Sequence, residues 1–276
     1  MRREVLREQH RKALHNLLLS NIDANLYLLQ LIQTNPIHQN RLVEWTGAFE
    51  GDRLIAVTCA LGRSKDRTPA RLMMIHGRED GAGYLGRFCL MRGGAQMLLG
   101  ERLSTDAYWK SMNAPKPRLF YDQRIYSCTE ASEGPRLPIS KATDAHFSML
   151  HQYAAEMMLE DLKIDPRADE HQHERTINTR IQLGKTWVYE RNTKLQFMID
   201  VGMESPMGAQ VGGTFVPPEF RGQGLASRGM RAICVELLKR VERVTLHVNE
   251  ANIAAIRCYE RAGFVRQTPY RLIALS

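Results

Sequence analysis

Arg221, Gly222, Gln223, Gly224, Leu225 and Ala226 place a cation and two glycines directly in front of an amphipathic run. From Ala226 onward the apolar residues fall at Met230, Ile233, Cys234, Leu237 and Leu238, the spacing of a helix with one buried face. The residues before Arg221 read as a strand ending near Val216. A helix that starts at the glycines points several unpaired backbone N–H groups out of its first turn. Those donors, the helix dipole and Arg221 can together hold a phosphate or diphosphate. Glycine at 222 and 224 leaves the backbone open to such a ligand. Taken alone the turn is a weak signal. It is neither a Gly-x-x-x-x-Gly-Lys-Ser/Thr loop nor a Gly-x-Gly-x-x-Gly loop.

A second element downstream makes the reading specific. Val244–Val248 is β-branched and alternating, as a strand requires. Asn252 then caps a helix running to about Ala262, which Gly263 ends. Asn252, Ala255, Tyr259, Gly263 and Phe264 follow the pattern Asn-x-x-Ala-x-x-x-Tyr-x-x-x-Gly-Phe.

In this order and at this separation, Arg221-x-x-Gly224-x-Ala226 and Asn252…Tyr259…Gly263-Phe264 resemble the GNAT superfamily of N-acetyltransferases. The resemblance covers roughly residues 137–276. A looser likeness, through Leu159–Pro166, Gly184–Trp187 and Val211–Val216, is to a bacterial subgroup with an extra domain in front. The resemblance implies that acetyl-CoA is the acyl donor and that Arg221 to Ala226 (Arg221, Gly222, Gln223, Gly224, Leu225, Ala226) hold its diphosphate. It implies backbone contacts from Thr214, Phe215 and Val216 to the pantetheine arm and the thioester carbonyl, and contacts from Asn252 and Tyr259 to the arm and the sulfur. Tyr259 is then the expected proton donor to the departing thiolate. Pro217 and Pro218 cannot donate to a ladder and are expected to splay their strand from Thr245–Val248. His247 stands where some relatives that acetylate protein N-termini carry a catalytic Glu, and it titrates in a useful range. Asp200, Glu190, Glu204, Glu219 or a relaying water compete with it for the role of base.

The chain has 276 residues, 43% hydrophobic and 25% charged, which suits two globular domains of ordinary size. No apolar run is long enough for a membrane span. The charged first residues do not read as a signal peptide, so a cytoplasmic location is expected. Five scattered cysteines (59, 89, 128, 234 and 258) argue against a disulfide framework and against structural zinc. His171-x-His173 is no metal pair on a helix, where side chains two apart diverge. The net charge of +8 divides as 20 basic against 14 acidic residues in 1–140 and 18 against 16 in the remainder. It is dispersed, so nucleic acid is not expected as a partner and a solvated surface is the simpler reading.

The elements fall into two similar series. Residues 3–34 read as a helix broken near Asn21, and Trp45–Leu61 as a hairpin about Glu50-Gly51-Asp52. A strand is expected at Arg71–His76, a helix near Tyr84–Arg92, a strand at Gln96–Leu99, a helix at Ser104–Ser111 and a strand at Arg118–Cys128. Ala131–Pro135 is the best linker. Helices at Thr143–Leu162 and Asp169–Leu183 precede a hairpin turning at Arg191-Asn192, then the motif strand and helix, Thr245–Val248, the last helix and a strand at Tyr270–Ala274. This predicts an α/β fold (α+β, with a mixed sheet) in two tandem GNAT-like domains, 1–133 and 134–276. The first is expected to be degenerate, because its corresponding turn, Gly77–Gly83, puts Glu79 and Asp80 where an anion would sit. The expected activity is transfer of an acetyl group to an amine by direct attack in a ternary complex. The readings weighed against it are a tandem transferase using aminoacyl-tRNA and a non-catalytic acetyl-CoA sensor. The acceptor is not legible.

Overall fold

The computed structural model describes residues 1–37, 42–62, 68–113 and 116–275. The chain opens on a strand, β1 (Arg2–Val5), where a helix is expected from Arg3. Its backbone finds a ladder instead, with Arg2 opposite Phe49 and Val5 opposite Thr46. Helices α1 (Arg11–Leu19) and α2 (Ile22–Thr34) follow. The break between them is a cap, because the Asn21 side chain accepts the Ala24 N–H at 3.3 Å. Gly51, at φ +59°, turns β2 (Val43–Glu50) into β3 (Arg53–Leu61). Next come β4 (Leu72–Gly77), α3 (Glu79–Gly86), β5 (Met97–Glu101), α4 (Arg102–Ser111) and β6 (Leu119–Cys128). The helix expected at Tyr84–Arg92 thus starts five residues earlier and leaves only a 3-10 turn at Leu90–Arg92. Glu79 and Asp80 sit in its first turn, where the dipole favours them.

The second series runs β7 (Ser140–Lys141), α5 (Phe147–Leu162), α6 (Glu170–Gln182), β8 (Thr186–Arg191), β9 (Lys194–Ser205), β10 (Gly208–Phe215), α7 (Leu225–Leu237), β11 (Val244–Asn249), α8 (Ile253–Arg261) and β12 (Val265–Ala274). Asn192 and Thr193, both at positive φ, make the hairpin turn one residue later than expected. Both series read strand, two helices, three strands, helix, strand, helix, strand. The fold is mixed α/β, and its repeat is the one anticipated, with an opening strand added to each half.

The compact units do not follow the 133/134 division. One comprises Met1–Ile125, His247–Ala251 and Arg266–Ser276; the other comprises Tyr126–Leu246 and Asn252–Val265. The segment read as a linker lies inside the second. In the first unit the strand order is β1-β2-β3-β4-β5-β12-β6, with β12 antiparallel to β5 (Tyr270 opposite Glu101). Its core gathers Ala56, Ile75, Leu98, Tyr108 and Ile273. The second unit has the order β11-β10-β9-β8-β7, over a core that includes Leu150, Ile177, Leu195, Met198 and Phe215.

One irregularity shapes the site. Parallel pairing of β10 with β11 is confined to Ala209 with Val244 and Gln210 with Thr245. Beyond that point β10 is bulged against β9, with register shifts after Gln210 and after Gly212, and Gly213 takes a φ of +61°. The strands therefore part at the bulge, well before Pro217 and Pro218, which only end β10. Among the described residues no helix is long and apolar enough to cross a membrane.

Candidate active site

Helix α7 begins uncapped, directly behind the exposed residues Arg221–Gly224. Gly224 is its N-cap at φ +71°, and Gly222 stands at φ +78°. A methyl group at either position would meet no other atom within 4 Å. These glycines are therefore required by backbone conformation, and they leave open space above the turn. The first backbone bond into the helix runs from Arg228 N–H to the Gly224 carbonyl at 3.2 Å. The N–H groups of Leu225, Ala226 and Ser227 thus precede the first intrahelical donor, Arg228 N–H, at the positive end of the dipole. Arg221 is fixed beside them. Its Nε donates to the Val216 carbonyl at 2.9 Å, and its two terminal nitrogens donate to the Glu160 carboxylate at 3.2 and 2.8 Å. The guanidinium carbon lies 5.4 Å from the Phe215 ring centroid.

The turn opens on a cavity of about 410 Å³ in the second unit. The end of β10 contributes Thr214, Phe215 and Val216, and α8 contributes Asn252, Ala255, Cys258 and Tyr259. Arg221, Gly222, Gly224, Leu225 and Ala226 line it as well; Gln223 does not. The splay at the bulge is what admits α8 residues beside the end of β10. Asn252 Oδ1 accepts the Ala255 N–H at 3.1 Å, so this residue serves as a cap and lines the cavity at once. Tyr259 is half-buried and hydrogen-bonded to the Thr214 side chain. Burial, reinforced by Cys258, pushes its pKa up, so its hydroxyl keeps its proton at neutral pH. Cys258 also stays protonated, because burial pushes its thiol up to about 12. A thiol so held is a poor nucleophile.

The residues weighed as base lie elsewhere. His247 is absent from the cavity lining and packs against Tyr270, ring centroids 4.6 Å apart. Burial lowers its pKa to about 4, which leaves it neutral and a weak proton acceptor. Asp200 supports the bulge: it takes Arg180 Nη1 at 2.7 Å and the Thr186 hydroxyl, and a side chain at Gly213 would meet its Oδ2 at 2.7 Å. Glu190 pairs with His146 at 3.2 Å, and Glu204 with Arg240 at 2.6 Å. Neither these three nor Glu219 lines the cavity. His173 is buried and its Nε2 lies 2.8 Å from the His151 carbonyl, which explains it as packing.

The last two turns of α5 supply what the sequence reading missed: Met157, Glu160 and Asp161 all line the cavity. A signal was present. Two adjacent carboxylates at a helix C-terminus oppose the dipole, an arrangement that costs a few tenths of a kcal/mol or more unless something else selects it.

Residues 153–264 match the Acetyltransferase (GNAT) family. Among solved structures, similar folds include a GNAT-family acetyltransferase from Colwellia psychrerythraea, with TM-score 0.62, 10% identity and complete coverage of both chains. A GCN5-related N-acetyltransferase from Sphaerobacter thermophilus superposes at TM-score 0.61 and 14% identity, over 99% of this chain and 94% of that one. A tandem GNAT protein from the clavulanic acid biosynthesis pathway does so at TM-score 0.53 and 12% identity, over 98% and 97%. At such identities the likeness is one of fold. No curated protein sequence matches the chain. The family match over the cavity-forming segment and the fold along the whole length agree: residues 153–264 match the GNAT acetyltransferase family, and the chain has a fold similar to that of a tandem GNAT protein.

Proposed function

We propose that the protein is an N-acetyltransferase that takes its acetyl group from acetyl-CoA and passes it to an amine by direct attack within a ternary complex. One observation carries this reading. The uncapped start of α7 and the protonated hydroxyl of Tyr259 open on the same cavity, so an anion anchor and a proton donor face one ligand. Bound acetyl-CoA supplies a thioester whose carbonyl carbon accepts the amine and whose sulfur departs. The N–H groups at 225–227, with Arg221, hold the diphosphate. Backbone groups at the end of β10 steady the arm and stabilise charge on the carbonyl oxygen. Tyr259 protonates the leaving sulfur, with Thr214 orienting its hydroxyl. The second unit, Tyr126–Leu246 with Asn252–Val265, is the catalytic one, and the first is a related unit without an open anion turn.

The test is calorimetric titration with acetyl-CoA followed by thiol release against a library of amines. Tyr259→Phe is expected to lower kcat by about 100-fold or more while acetyl-CoA affinity stays within about two-fold. Unchanged turnover in that variant removes Tyr259 from the chemistry; no binding heat in the parent chain removes the whole reading.

A further inference from the structure

An amine that meets a thioester must first be a free base, yet an alkyl amine arrives protonated at neutral pH. A carboxylate lining the cavity would take that proton where the amine attacks. Among the described residues lining it, Arg221 and Arg261 are cations, and Cys258 and Tyr259 hold their own protons. Two carboxylates remain, Glu160 and Asp161. Glu160 is occupied, with Arg221 donating to both of its oxygens. No hydrogen bond or ion pair among the described residues ties Asp161. It lines the same cavity as the Tyr259 proton donor and the Arg221 anchor.

We infer that Asp161 is the proton acceptor of this cavity, and that the acceptor substrate is therefore an alkyl amine that binds as its ammonium ion. The inference rests on the acetyl-transfer reading above and extends it to the substrate. Of the cations that act on Asp161, Arg221 is paired with the Glu160 carboxylate and Lys163 donates to the Glu160 carbonyl, so neither is hydrogen-bonded to Asp161. Although the Asp161 side chain reaches solvent, desolvation and the neighbouring Glu160 raise its pKa, which improves it as a base. The protons balance. The ammonium gives one proton to Asp161, which passes it to solvent. The freed nitrogen bonds to the carbonyl carbon, the carbon–sulfur bond breaks, and the sulfur takes the Tyr259 proton. The second proton of the new amide nitrogen restores Tyr259. An aromatic amine, already neutral, needs no such acceptor before attack.

The experiment uses the full chain and its Asp161→Asn and Asp161→Glu variants, with butylamine and aniline as probes, across about pH 6 to 9. Asp161→Asn is expected to lower kcat/KM for butylamine by roughly 100-fold and to abolish the fall of rate at acid pH. Asp161→Glu should restore part of both. Aniline acetylation should change by less than about three-fold, and the heat of acetyl-CoA binding should not change. A retained acid limb in Asp161→Asn overturns the inference, as does an equal loss for both amines or a parent chain that acetylates aniline alone. If the parent binds no acetyl-CoA, the donor reading fails and this inference with it. If binding persists and the variant is silent, only the inference fails.

Discussion

Two glycine-rich turns join a strand to a helix in this chain, one in each unit, and their glycines serve opposite purposes. Before α7 a methyl group on Gly222 or Gly224 would meet nothing. Around α3 the glycines are crowded. A methyl on Gly77 would lie 2.5 Å from the Ile55 carbonyl oxygen, one on Gly81 2.8 Å from Ala56 Cβ, and one on Gly86 2.3 Å from the Tyr108 carbonyl oxygen. The cations differ in the same way. Arg78 is held by Glu50 at 2.9 and 3.0 Å and by Asp80 at 2.7 and 2.6 Å. Asp80 Oδ1 also accepts the Gly81 N–H at 2.8 Å, and the Arg78 guanidinium draws its pKa down to about 2. The first turn of α3 thus carries its own permanent anion, whereas that of α7 has no side-chain cap. Glycine in one turn lets protein pack closely; in the other it keeps protein away.

Substitutions can break or sharpen this contrast. The largest effect is expected at the open turn: Gly224→Asp should weaken acetyl-CoA binding by about 100-fold, some 2.7 kcal/mol, by setting a carboxylate against the diphosphate. Calorimetry measures it, and an unchanged affinity would sever α7 from the ligand. Next is Gly86→Ala, whose methyl collides with backbone. It should cost about 1–3 kcal/mol of stability in denaturant unfolding and leave acetyl-CoA affinity alone. If it weakened binding as Gly224→Asp does, the two turns would not have separate roles. The smallest effect is at Glu160. Its pairing with Arg221 is solvent-exposed, so Glu160→Gln should alter stability by less than about 1 kcal/mol. Freeing Arg221 should tighten acetyl-CoA binding by about two- to five-fold at low salt, and the gain should shrink as salt rises.

Much of the second unit was legible because its signals are local. Glycine spacing, the Asn252 cap and the 3.6-residue periods of α7 and α8 each act within a few residues. The placement of Tyr259 followed from them. In the first unit's turn, Glu79 and Asp80 proved to be helix residues, since Arg78 and the dipole favour them there. What escaped notice depends on distant pairing. Arg2–Val5 looks helical alone and becomes a strand because β2 offers it a ladder. Asp200 looked like a candidate base until the bulge of β10 and Arg180 accounted for it. His247 shares a strand with the motif, yet its neighbour is Tyr270, 23 residues further along. Asp161 needed the folded chain, because nothing in its neighbourhood of sequence says that the end of α5 reaches the end of β10.

The position of β12 in the first unit has a consequence for how the protein can be made. Residues 266–276 leave the ribosome after every residue of the second unit, so the earlier-translated sheet waits, with a gap between β5 and β6, until its missing member arrives. Vectorial folding, in which a leading domain is finished before its successor begins, is closed to this chain. A fragment cut at residue 125 would carry two unpaired strand edges and invite aggregation rather than behave as an autonomous module.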